Sequence, residues 1–75
     1  MKHQALEVLQ TRRLIADIRR VVAILDSDIA AEEEMARVSD VKLAEYPMVA
    51  RALAARRDNL ELTLASLEKR LGGLA

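Results

Sequence analysis

A seven-residue rhythm of aliphatic side chains constrains this chain more than any other feature. Val8, Ile15, Val22 and Ile29 recur at one position of the repeat, and Thr11, Ile18, Leu25 and Glu32 recur at a second, three residues on. Steps of three and four residues bring both rows onto one side of an α-helix, whereas a strand would need an alternation of period two. The frame returns nearer the C-terminus, with Ala50, Arg57, Leu64 and Leu71 in one row and Leu53, Leu60 and Leu67 in the other. The spacing predicts two amphipathic helices, over about residues 5–37 and about residues 47–71. Leu14, Val21 and Met35 flank the first pair of rows. They widen its stripe to the three apolar residues per heptad of a bundle helix, and are expected in the same seam.

The rhythm breaks over about residues 38–46, which reads as the connection of a hairpin. Ser39 and Asp40 are residue types that end one helix or cap the next. Pro47 suits the first turn of a helix, where its missing N–H removes no hydrogen bond. The stretch 41–45 fits a single helical turn as well as an irregular connection. At the far end, Lys69 and Arg70 followed by Gly72-Gly73 read as a stop signal, with cations in the last turn and a left-handed glycine cap. Tyr46, the single aromatic residue, is expected to pack over the turn as a lid rather than to serve in recognition.

Charge gives the helices a relative direction. The first carries Arg12, Arg13, Arg19 and Arg20 in its first half and Asp26, Asp28, Glu32, Glu33 and Glu34 in its second, the reverse of what its own dipole favours. The second helix has Arg51, Arg56 and Arg57 early and Glu61 and Glu68 later. Folding back sets basic against acidic along most of an antiparallel pair. Lys69 and Arg70 are the exception. Glu32 and Arg57 both fall on seam rows, and a turn centred near residue 43 brings them within about one helical turn of each other. A Glu32–Arg57 pair is the expectation, against a frayed seam that leaves both charges in water.

The whole chain of 75 residues is expected to form one domain, an all-α antiparallel hairpin akin to a coiled coil. So small a scaffold needs supplementary stabilisation, and the lack of cysteine rules out disulfides and thiolate metal sites. Oligomerisation remains. A homodimer forming a four-helix bundle is therefore expected, with a different protein as a further potential partner. Residues that a two-helix hairpin does not need are the candidates for the contact: Leu9, Ala16, Ala23 and Ala30 at heptad spacing, Ile24 beside them, and Met48 and Leu62 on the outer side of the second helix. The competing reading is that alanine, the best helix former, simply fills unconstrained positions.

Twelve basic and twelve acidic residues balance, so no overall field draws the protein to nucleic acid or an anionic membrane. No apolar run reaches the roughly 18 residues of a membrane span, and Met1-Lys2-His3-Gln4 opens into a charged pattern without a signal-peptide core. A cytoplasmic protein is expected. Helical di-metal sites need Glu-x-x-His motifs, and His3 is the only histidine, one turn from Glu7, so no metal or other cofactor is expected. No nucleophile has a base signature and no glycine-rich loop precedes a helix, so neither catalysis nor a small-molecule substrate is expected.

What remains is a non-catalytic interaction protein, an adaptor, small regulator, chaperone or accessory subunit. The alternative is a dimeric RNA- or DNA-binding regulator that uses the outward rows Arg12/Arg19 and Arg13/Arg20. Missing aromatic stacking groups and the interrupting Asp17 count against it.

Overall fold

The computed structural model describes residues 2–74, with side chains from Gln4 onward. Two helices account for most of the chain: α1, Lys2–Ala36, and α2, Met48–Leu74. They pack against each other as an antiparallel hairpin measuring 54 × 17 × 13 Å. The long dimension is that of α1 alone, since 35 residues at a rise of 1.5 Å span about 52 Å.

The seam follows the heptad rows. Thr11, Ile15, Ile18, Leu25 and Ile29 are buried on α1, with Val8 and Val22 half-buried between them. Opposite them, Ala50 is fully buried and Leu53, Leu60, Leu64, Leu67 and Leu71 are half-buried. Among the described residues no large side chain is completely shielded from solvent. Two helices in contact share one line, and each keeps its other flanks wet. Leu14, Val21 and Met35 lie outside this seam, contrary to the sequence-based expectation: all three are exposed, Met35 to 72%. One facing helix covers the two central rows and one flank, and α2 sits on the other flank of α1.

A left-handed residue ends α1. Arg37 has φ 55°, its N–H donates to the Glu34 carbonyl at 3.2 Å, and the Val38 N–H donates to the Glu33 carbonyl at 3.2 Å. These two bonds make a Schellman cap, completed as usual by an apolar residue after it, since Val38 packs against Ile29, Tyr46 and Ala50. The connection then makes two tight turns, with the Leu43 N–H donating to the Asp40 carbonyl and the Tyr46 N–H to the Leu43 carbonyl, each at 3.1 Å. The Asp40 carboxylate also accepts from the Lys42 N–H at 2.9 Å. Pro47 stands just ahead of α2, where its carbonyl accepts the first helical bond from Arg51 N–H.

At the other terminus the expected glycine cap is absent. Gly72 and Gly73 are both helical, neither has positive φ, and α2 continues to Leu74. The reason is burial. Leu74 occupies the next position of the seam after Leu67 and Leu71 and is half-buried there, and its carbonyl accepts the Gln4 side-chain amide at 2.6 Å. Lys69 and Arg70 consequently lie before the last turn rather than in it.

Backbone conformation gives opposite expectations at the two helix ends. Arg37→Gly relieves a left-handed conformation that opposes an L side chain, and should stabilise the hairpin by about 0.5–1 kcal/mol. Gly72→Ala and Gly73→Ala, whose added Cβ atoms meet nothing within 4 Å, should each stabilise it by about 0.5 kcal/mol. Urea unfolding measures both. A loss of stability in the alanine variants would mean that α2 stops in a left-handed cap.

Candidate interaction surfaces

The two edges of the hairpin differ in chemistry. One edge is formed by the row Arg12, Arg19, Asp26 and Glu33 of α1, and α2 closes it with polar bonds. Arg19 Nη2 lies 2.7 Å from Glu68 Oε1, and Arg57 Nη1 lies 3.0 Å from Asp26 Oδ1. Arg57 also donates from Nη2 and Nε to Asp58 Oδ1, at 3.1 and 3.2 Å. Its guanidinium is held protonated more firmly than usual, chiefly by the bond to Asp26 and then by that to Asp58, against the opposing effect of burial. Exposed pairs of this kind contribute about 0–1 kcal/mol each, so they set register more than stability.

Arg57 therefore pairs with Asp26 and not with the expected Glu32. Glu32 sits six residues further along α1, about 9 Å down the axis. With α1 ending at Ala36 and α2 beginning at Met48, the chain folds about residue 42, which sets Arg57 level with Asp26 and Ser27 rather than with Glu32. Arg57 keeps its stem in the seam row and turns its charge to the polar edge, which removes the need for a buried partner.

Tyr46 closes this edge at the turn. It is 3% exposed, clusters with Ile29 and Ala50, and donates its hydroxyl to Glu33 Oε2 at 2.7 Å. The Arg51 guanidinium lies 5.2 Å from the ring centroid and donates to the Leu43 carbonyl at 3.0 Å. The hydroxyl pKa is raised above its ordinary value, first by the bond to Glu33, then by burial and the Glu33 charge, with Arg51 and Arg57 pulling the other way.

The opposite edge has no such closure. Leu14, Val21, Ile24 and Met35 are exposed, and Val49 on the matching flank of α2 is exposed as well. Near the open end, Glu7, Gln10, Thr11 and Leu14 of α1 line a surface groove with Leu67 and Arg70 of α2. The heptad pattern shows this apolar edge as its third residue per repeat, but does not distinguish the hairpin's own seam from an exposed flank.

The residues singled out for partner contact are all solvent-exposed, and they do not form one surface. Leu9, Ala16, Ala23 and Ala30 lie beyond the polar edge. Ile24 follows Ala23 by one residue, hence by about 100° of rotation, and lies beyond the apolar edge. Met48 and Leu62, 84% and 70% exposed, are on the back of α2. Leu9 lines a shallow apolar groove with Gln4, Ala5 and Val8.

Arg12, Arg13, Arg19 and Arg20 are exposed too, but Arg19 is engaged by Glu68 and Arg20 lies 3.3 Å from its own Asp17. Among the described residues Arg12 and Arg13 take part in no ion pair. No group of three or more His, Asp or Glu among the described residues is placed to hold a metal ion; the His3 side chain lies outside them. Among the described residues no helix is long and apolar enough to cross a membrane. Set against family models, curated proteins and solved structures, the chain matches none of them.

The Tyr46 contact has a pH signature. An unfolded tyrosine titrates near 10. Because the folded value is higher, the contribution of the hydroxyl is complete below about pH 10 and is lost as pH rises through the folded value. Urea unfolding from about pH 8 to about pH 11 should show the wild type losing stability relative to Tyr46→Phe once pH passes about 10. Parallel profiles would contradict the contact.

Proposed function

We propose that this chain is a non-catalytic helical interaction protein that acts as a homodimer, two hairpins combining into a four-helix bundle. The observation that carries the reading is surface. The hairpin exposes 5853 Å², whereas a compact monomer of 8.4 kDa should expose about 4,600 Å². The excess, about 1,200 Å² per chain, exceeds the roughly 800 Å² that each partner buries in an interface of ordinary size. Its radius of gyration, 16.4 Å, is likewise well above the about 11 Å of a compact chain of this length. Much of the excess is apolar, with Leu9, Leu14, Ile24, Met35, Met48 and Leu62 all exposed. An adaptor, small regulator, chaperone or accessory subunit works through surfaces of this kind.

A second reading, an RNA- or DNA-binding regulator, rests on Arg12 and Arg13, exposed and outside any described ion pair. The engagement of Arg19 by Glu68 and of Arg20 by Asp17 leaves it a thin basic face.

Size-exclusion chromatography with light scattering should return twice the chain mass at micromolar concentration, and a stably folded monomer would sink the homodimer. Arg12→Glu combined with Arg19→Glu should leave that mass unchanged. Nucleic-acid binding by the wild type at low salt, lost in this double variant, would favour the second reading instead.

A further inference from the structure

The apolar edge and the unused charges of α1 together specify how two copies meet. Leu14, Val21, Ile24, Ala31 and Met35 belong to a second series spaced by three and four residues, in which Gln10, Asp17 and Asp28 fill the remaining places. Such spacing is that of a helix-packing seam. It runs alongside the hairpin seam, and Leu14, Val21, Ile24 and Met35 are open to solvent within it. The matching flank of α2 has Val49 at its start but then Arg56, Asn59, Thr63 and Ser66, so beyond its first turn it offers little to bury. An interface on this edge is therefore carried by α1.

Charge selects the occupant and its direction. Among the described residues, the ion pairs with α2 and the Tyr46 hydroxyl engage only the row containing Arg19, Asp26 and Glu33. Arg13 and Arg20 in the first half of α1, and Asp28 and Glu34 in the second, have no partner on α2 among the described residues. A parallel helix of the same sequence would set like charge on like. An antiparallel copy of α1 sets basic on acidic.

Resting on the homodimer reading above, we infer that the two chains meet through α1 against α1, antiparallel about a two-fold axis passing between Val22 and Ala23. In this register Val21 of one copy packs on Ile24 of the other, and Leu14 packs on Ala31. Arg13 faces Glu34. The two-fold also brings Asp17 opposite Asp28 of the second copy, and Arg20, already 3.3 Å from its own Asp17, lies one turn from both and screens them. The surface in excess of a compact monomer, about 1,200 Å² per chain, leaves enough area for an interface of ordinary size. Small residues at Ala31 and flanking Ser27 leave room for the approach.

The cysteine-free chain allows single spin labels in the full-length protein. Labels at Ser27→Cys sit near the axis, with an axial separation of about 14 Å, whereas labels at Leu6→Cys sit about 50 Å apart along it. A short pulsed-dipolar distance at Ser27 with a long one at Leu6 is the expected result. Arg13→Glu should weaken self-association by about tenfold, from two reversed pairs, and adding Glu34→Arg should restore it. A dimer with equal distances at both sites, or with a long distance at Ser27, would overturn this seat while leaving the homodimer standing. A monomeric wild type would overturn both and reserve the edge for a different protein.

Discussion

The contact of the Ile15, Ile18, Leu25 and Ile29 rows with the leucine row of α2 sets everything else in the hairpin. It fixes the register, and the register decides which charges meet. Arg57 reaches Asp26, Arg19 reaches Glu68, and Tyr46 reaches Glu33 because the seam places them level with each other. Neither the two exposed ion pairs nor the part-buried Tyr46–Glu33 bond would hold the helices together alone. Burial of apolar surface does that, at roughly 25 cal/mol per Å² removed from water.

That same contact explains the asymmetry of the edges. An apolar stripe three residues wide per heptad is broader than one neighbouring helix covers. Because α2 takes the side that carries Arg19, Asp26 and Glu33, the side that carries Leu14, Val21 and Met35 is left open, and Ile24 extends it. The hairpin is closed by polar pairs along one edge and exposed along the other. The proposed bundle follows from this imbalance, with α1 in the middle of the assembly and α2 at its periphery.

Periodicity made the architecture legible from the residues alone. The rows from Val8 to Ile29 and from Ala50 to Leu71 are the rows that meet in the structure, and the opposed polarity of charge gave the antiparallel direction. Chain ends and register were not legible, for separate reasons. Gly72-Gly73 carries a strong local cap signal, yet the seam position of Leu74 continues the helix through it. Arg37 carries no cap signal, yet a left-handed residue is required there for Val38 to reach the core. The Glu32–Arg57 expectation failed because both residues belong to seam rows but not to the same level: the chain folds about residue 42, which sets Arg57 beside Asp26. Heptad position tells which face a residue occupies and not how far along its partner lies.

If association completes the fold, the stability of the hairpin is linked to protein concentration. The most direct measurement is the thermal unfolding midpoint, followed by far-ultraviolet circular dichroism, over an approximately hundredfold range of concentration. A midpoint that rises steadily with concentration is the predicted result. A midpoint independent of concentration, with full helicity retained at the lowest concentration, would show that two helices suffice and would contradict the account.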